Sequence, residues 1–333
     1  MKVGRVLLLV LLVFPCFGQA ETSRRYADNP LASDFADYMV REHGFEPIDM
    51  QALFTEAAYK QSIIDAMNRP AEKVKEWKDY RKIFLTERRL REGVEFWQEQ
   101  RATLERAEAE FGVPAAIIVA IIGVETHYGR ITGSYRVVDA LSTLAFDYPR
   151  RSSFFTRELE NFLLLCREQG FNPVNLKGSY AGAMGYGQFM PSSYRAYAID
   201  YNGDGVADIW TNPVDAIGSV ANYFARHGWR TGAGVAMRAR IAGEYDEQTI
   251  NQVVKPHLDL SALASRGFTP VDSGLDSSTL AIPLKLEGDK GAEFWLGLHN
   301  FYVITRYNTS YRYAMAVKEL SEMLIERMAN VAS

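Results

Sequence analysis

Cysteine is nearly absent: the chain of 333 residues has two, Cys16 and Cys166. At most one pair can form, so the fold cannot rest on a disulfide framework and must be held by core packing. Histidine is almost as scarce, with five residues scattered at 43, 127, 227, 257 and 299. None of them forms the two-histidine i, i+4 spacing of a zinc helix, and Glu125-Thr126-His127 supplies only one of the pair. An excess of one charge is also missing, because 37 Lys plus Arg stand against 41 Asp plus Glu, a formal net charge of -4. The clustered basic surplus that accompanies nucleic-acid binding is therefore lacking. There is no internal repeat and no low-complexity tract. What remains, at 47% hydrophobic and 23% charged residues, is the composition of a globular protein large enough for one big core or two to three cooperating lobes.

Of two long apolar runs, one lies at the start. Lys2 and Arg5 precede the run Val6 to Phe14, and Gly18-Gln19-Ala20 follows with small residues where a signal peptidase reads. The run is about half of the ~20 residues needed to cross a bilayer. Residues 1–20 are expected to be a signal peptide cleaved after Ala20, leaving a soluble periplasmic protein with no transmembrane segment. Loss of Lys2 and Arg5 takes the formal charge from -4 to -6. Cys16 opens a minority route, lipid anchoring to the outer membrane, but Pro15 and Phe14 occupy the places where lipoprotein processing needs small residues.

Helical spacing dominates the rest. Leu53, Phe54, Ala57 and Ala58 mark one segment; Leu90, Val94, Trp97, Leu104, Ala107 and Phe111 mark another. Pro114 to Val124 carries no polar side chain on any face, so that helix must be buried all round. Further helices are expected over Ser153–Cys166, Pro191–Ala198, Pro213–His227 and Tyr311–Met328. Between Gly232 and Tyr302 the pattern breaks into short runs such as Met237–Ile241 and Leu280–Leu286, which predict strands. The expected fold class is mainly α (α+β). Its divisions are a helical lobe over 21–110, a core over 111–231, a small β-rich lobe over 232–303, and a C-terminal segment, 304–333, that completes the core.

Glu125 ends the all-apolar helix, with Gly129 as the expected terminator. Burial and the negative end of the helix dipole both oppose its ionisation, and a carboxyl kept protonated near neutral pH is what a general acid requires. About sixty residues on, Ser179 to Ser193 holds three glycines, Gln188 and Met190-Pro191 ahead of a helix. No strand precedes these glycines, so they do not read as a nucleotide loop.

Val124-Glu125-Thr126 followed by Gly182-Ala-Met-Gly-Tyr-Gly-Gln-Phe-Met-Pro191 resembles the catalytic signature of lytic murein transglycosylases, and the remainder resembles the B-type members, glycoside hydrolase family 103. Tyr148-Pro149-Arg150-Arg151, residues 200–224 and 300–317 carry the likeness further. The resemblance implies a lysozyme-like catalytic core beside a glycan groove, and cleavage of the β-1,4 bond between N-acetylmuramic acid (MurNAc) and N-acetylglucosamine (GlcNAc) without water. By that likeness Glu125 is the single catalytic carboxylate, acid first and then base, and the product ends in a 1,6-anhydro ring. Ser179, Gln188 and the tyrosines Tyr80, Tyr186, Tyr223, Tyr307 and Tyr313 would contact sugar, while Arg150 and Arg151 would meet lactyl or peptide carboxylates. No organic cofactor is implied; peptidoglycan strands are the expected partner, with cell-wall synthesis proteins as candidate recruiters. A hydrolytic muramidase and a non-catalytic peptidoglycan-binding scaffold stay open on the residues alone. Ordinary glycosidases use two carboxylates, and Asp139 and Asp147 are the nearest further acids.

Asp200-Tyr-Asn202-Gly-Asp204-Gly-Val206-Ala-Asp208 matches the first nine positions of an EF-hand, including the glycine at position 6. Position 12 is Thr211 in place of glutamate. The expected site is a structural Ca2+ loop over 200–215 with Asp200, Asn202, Asp204, the Val206 carbonyl, Asp208 and, closing a longer loop, Asp215.

Overall fold

A computed structural model describes residues 24–68, 75–271 and 274–332. The expected export segment and Cys16 lie outside the described residues. The helices are α1 (Pro30–His43), α2 (Pro47–Glu56), α3 (Gln61–Asn68), α4 (Trp77–Phe84), α5 (Glu87–Glu99), α6 (Arg101–Phe111), α7 (Ala115–Thr126), α8 (Val137–Asp147), α9 (Ser152–Gln169), α10 (Pro191–Tyr197), α11 (Pro213–Arg226), α12 (Leu260–Ala264), α13 (His299–Tyr307) and α14 (Tyr311–Ala332). The strands are β1 (Tyr135–Arg136), β2 (Lys177–Gly178), β3 (Ala236–Ile241), β4 (Leu258–Asp259), β5 (Phe268–Pro270), β6 (Leu280–Gly288) and β7 (Gly291–Gly297).

The helix ends follow from local chemistry. Asn29 caps α1 by accepting the Ala32 N–H at 3.1 Å, Pro30 occupies its first turn, and Gly44 in the left-handed region stops it. Thr86 and Asn212 cap α5 and α11 in the same manner. In α7 every residue except Glu125 is buried. Its neighbours are α5, α6, α11 and α14, a packing that only an uncharged circumference permits. Among the described residues no single helix is long and apolar enough to cross a membrane.

The short runs after Gly232 do form strands. They build a five-stranded antiparallel sheet in the order β4-β6-β7-β3-β5. One face of β6, with Ile282, Leu284 and Leu286, merges into the main core, whereas Ala281 joins Leu260, Leu263, Phe268 and Leu296 in a second, smaller core. The sheet is tied to the helices by charge as well. Arg81 of α4 bonds Glu319 of α14 at 2.7 Å and lies 3.9 Å from Glu293 of β7. That clamp holds α4, and with it Tyr80, over the start of α14. Helix α13 runs continuously across residue 303.

Candidate active site and metal loop

Glu125 lies in the last turn of α7, and the helix stops sooner than glycine preference predicts. His127 caps it at φ 55, followed by Tyr128 at φ 60 and Gly129 at φ 82. Two non-glycine residues in the left-handed region cost of order 1–3 kcal/mol each and persist only where their surroundings hold them. Here the His127 ring nitrogen pairs with the Glu92 carboxylate, which is 4% exposed and also meets Arg88 and Arg130. The Tyr128 hydroxyl donates to the Arg89 carbonyl at 2.9 Å. Its ring fills the space over Gly93 and Gly123, where a Cβ would come within 2.3 and 2.6 Å of that hydroxyl. Tertiary contacts thus set the stop, with Gly129 serving instead as the floor under the Tyr186 ring.

Thr126 locks this end of α7 to the glycine-rich loop: its hydroxyl donates to the Tyr186 carbonyl at 2.8 Å and accepts from the Gly129 N–H at 3.0 Å. The loop pairs with itself, Met184 and Phe189 exchanging two N–H to carbonyl bonds of 2.9 Å. Ser179 Oγ accepts from the Ala181 and Ala183 N–H groups, and the Gln188 side-chain nitrogen donates to the carbonyls of Thr132 and Gly185. These contacts fix both side chains from within the loop.

The Tyr313 hydroxyl, on the first turn of α14, donates to Glu125 Oε1 at 2.5 Å. Tyr307 donates to the Gly187 carbonyl at 2.5 Å. Both tyrosines have their hydroxyls held well above the ordinary pKa, by burial first and then by the Glu125 charge. Tyr80 also lies in the field of Glu125. Burial pushes the Glu125 carboxyl up to about 7, against which the Tyr313 hydrogen bond pulls it down. Among the described residues no Lys, Arg or His pairs with Glu125. Asp139 is tied to Arg136 at 2.7 Å and to the Ala58 N–H; Asp147 accepts from Tyr26 at 2.6 Å and pairs with Arg24. Neither stands as a second acid beside Glu125.

Tyr223 departs from the expected groove position. It is 7% exposed, stacks on His227 with ring centroids 4.0 Å apart, and donates to the Arg306 carbonyl at 2.6 Å. It therefore supports Tyr307 from behind, at 4.7 Å between rings, rather than offering a face to sugar. Arg150 and Arg151 lie exposed on the single helical turn before α9, with Arg151 over the Phe154 ring at 4.3 Å. Neither contacts Glu125 or the site tyrosines. Sequence reasoning assigned no role to Thr126, and it missed the Glu92–His127 pair because a long-range partner has no local signal.

In the 200–215 loop, oxygen atoms of Asp200, Asp204 and Asp215 converge within 4.8 Å of one another. Asp215 is fully buried, and its carboxylate accepts the N–H groups of Tyr201, Asn202 and Asp208. Burial raises its pKa, and those three donors oppose the rise. Gly203 at φ 79 and Gly205 at φ 96 provide the turn. Among the described residues none of the loop carboxylates makes an ion pair. Three converging carboxylates without a cation fit a hard, oxygen-seeking metal. Asp208 stands outside the cluster, because its oxygens accept from Trp210, Thr211 and the Thr211 hydroxyl. The Val206 carbonyl accepts the Asp208 N–H at 3.1 Å, and Asn202 bonds Asp204 at 2.8 Å.

A half-buried carboxyl without a cationic partner among the described residues, at the end of a core helix that Thr126 ties to a glycine-rich loop, fits a lysozyme-like enzyme, and the comparisons with known proteins agree with that class. The chain belongs to the transglycosylase SLT domain family, whose model matches residues 27–322, and is a lytic transglycosylase. It is 46% identical over 306 residues to the membrane-bound lytic murein transglycosylase B of Escherichia coli K12, covering 89% of this chain and 83% of the relative. The catenated lytic transglycosylase SltB1 of Pseudomonas aeruginosa superposes with a TM-score of 0.88 at 52% identity, covering 91% of this chain and 99% of that one. The Escherichia coli lytic transglycosylase Slt35 in complex with calcium gives 0.84 at 44%, over 96% of this chain and all of that one. SltB3 of Pseudomonas aeruginosa, solved with NAG-anhNAM-pentapeptide, gives 0.79 at 29%, over 88% and 79%.

Proposed function

We propose that the chain cleaves the β-1,4 bond between MurNAc and GlcNAc of peptidoglycan in the periplasm and leaves a 1,6-anhydroMurNAc end. The observation that carries this reading is the carboxyl of Glu125, held near pKa 7 by burial, with no second acid beside it among the described residues. Such a group is half protonated at neutral pH, so it can serve as acid and then as base. Protonated Glu125 gives its proton to the glycosidic oxygen as the C1–O4 bond breaks. The resulting carboxylate then takes the proton from the muramoyl C6 hydroxyl as O6 bonds to C1. Nothing is added and nothing lost beyond the cut itself, and Glu125 returns to its starting state. Tyr313 supplies the hydrogen bond that stabilises the carboxylate between the two steps. Ser179, Gln188, Tyr186, Tyr80 and Tyr307 would line the sugar path. The naming of the Escherichia coli relative and the anhydro ligand of SltB3 support the same reading. We further assign a structural Ca2+ to Asp200, Asp204 and Asp215, in keeping with the calcium complex of Slt35.

Mass spectrometry of muropeptides released from purified sacculi tests the chemistry, with borohydride reduction and Glu125→Gln in parallel. Products one water lighter and resistant to reduction, absent with Glu125→Gln, are expected. Reducible products would show a hydrolase instead, and no release would indicate a binding protein.

A further inference from the structure

Glu92 on α5 takes no part in the chemistry above, yet three side chains converge on its buried carboxylate: Arg88 at 3.0 Å, Arg130 and the His127 ring. Burial opposes its charge, but the Arg88 hydrogen bond and the neighbouring His127 and Arg130 outweigh that, so the carboxyl is held below its ordinary pKa. A buried ion pair adds little net stability, which directs attention to the geometry it fixes. Of the three partners only His127 belongs to the turn that carries Glu125. Its backbone sits at φ 55, where a residue other than glycine is strained. The N–H groups of His127 and Tyr128 donate to the carbonyls of Gly123 and Ile122, closing α7 directly behind Glu125. Tyr128, at φ 60, has its own anchor in the Arg89 carbonyl. Among the described residues the polar partner of the His127 ring is Glu92.

Thr126, between Glu125 and His127, joins the same turn to the glycine-rich loop through the Tyr186 carbonyl at 2.8 Å. Contacts therefore run from Glu92 through the His127 ring to a strained backbone, and from there to Glu125 on one side and to the loop of Ser179 and Gln188 on the other. We infer that Glu92 is a positioning residue for the cleavage: by holding the His127 ring it keeps the end of α7 in the strained turn that aims Glu125 at the glycosidic oxygen. This rests on the reading of Glu125 as the acid given above.

The test measures kcat and KM on soluble glycan strands, with thermal melts alongside, for the parent protein, Glu92→Ala, Glu92→Gln, His127→Ala, His127→Gly and the double variant Glu92→Ala with His127→Gly. Glu92→Ala and His127→Ala should each lower kcat by about 10- to 100-fold while KM changes little, as expected when a reacting group is misplaced by about 1 Å. Glu92→Gln, whose amide oxygen can still accept from the ring, should lose less. Glycine enters the left-handed region without an anchor, so His127→Gly should lose only about threefold, and adding Glu92→Ala to it should cost no more than about threefold again. If Glu92→Ala does not fold, Glu92→Gln and the two His127 variants carry the comparison. Equal losses in His127→Ala and His127→Gly, a Glu92→Ala loss that persists in full beside His127→Gly, a loss confined to KM, or a parental kcat throughout overturns the inference. Reducible products showing this same pattern would remove the anhydro chemistry and keep the positioning role; a parent that releases nothing removes both.

Discussion

Glu125 and Asp215 are both carboxylates drawn into the protein, at the end of α7 and the start of α11, yet their surroundings differ. Burial raises the pKa of each. Glu125 then receives one tyrosine hydroxyl, whereas Asp215 receives three backbone N–H groups and the company of Asp200 and Asp204. The contrast shows that depth alone does not give a buried acid its task; the number of donors aimed at it does. One donor leaves a proton that can be lent. Three donors hold Asp215 in its charged form, and the two carboxylates beside it call for a cation.

The sharpest way to break this contrast is Glu125→Gln, which keeps the shape and removes the proton. Activity on sacculi should fall by at least about 10³-fold, since both acid and base steps are lost, and a residual rate within tenfold of the parent would dismiss the single-carboxylate mechanism. The same variant reports on stability. Folded Glu125 binds its proton more tightly than the unfolded chain does, so the parent loses stability as pH rises from about 4.5 toward about 7. Thermal melts should find Glu125→Gln more stable than the parent at pH 8, with the gap closing near pH 4.

Asp215→Ala should destabilise the fold by about 2–3 kcal/mol, because three partly buried N–H groups lose their acceptor. Urea unfolding that shows less than about 1 kcal/mol would make the loop a surface ornament. Tyr313→Phe should act in the other direction on chemistry. Without its donor the Glu125 pKa rises further, so the alkaline limb of the pH–rate profile should move to higher pH while kcat drops by about 3- to 10-fold; an unmoved limb would mean that the hydroxyl does not tune the acid. The smallest effect concerns the metal. Millimolar calcium should raise the melting temperature by a few degrees, Asp204→Ala should abolish that shift, and a parent indifferent to calcium would remove the site.

The all-apolar stretch Ala115–Val124 was legible as a buried helix because no polar residue contradicts it, and Glu125 stood out by following it. The Asp/Asn/Gly spacing of the metal loop was legible for the same reason: its ligands are neighbours in sequence. Where the outcome depended on distant partners, reading residues in order failed. His127 rather than Gly129 ends α7 because Glu92 and Arg89 lie across from it. Tyr223 faces inward because Arg306 and His227 take its hydroxyl and its ring. Asp208 is a different case, drawn out of the cluster by a near neighbour, Thr211, three residues on. Eighteen tyrosines look alike in a sequence, and only packing sorts those that meet sugar from those that prop up their neighbours.

Tyr313 reaches Glu125 across 188 residues of chain, carried on a helix that closes against α4, α5, α7 and α13. The same helix forms one wall of the packing around α7. Both the seating of the acid's helix and the donor that tunes the acid therefore hang on a single segment that is remote from Glu125 in sequence.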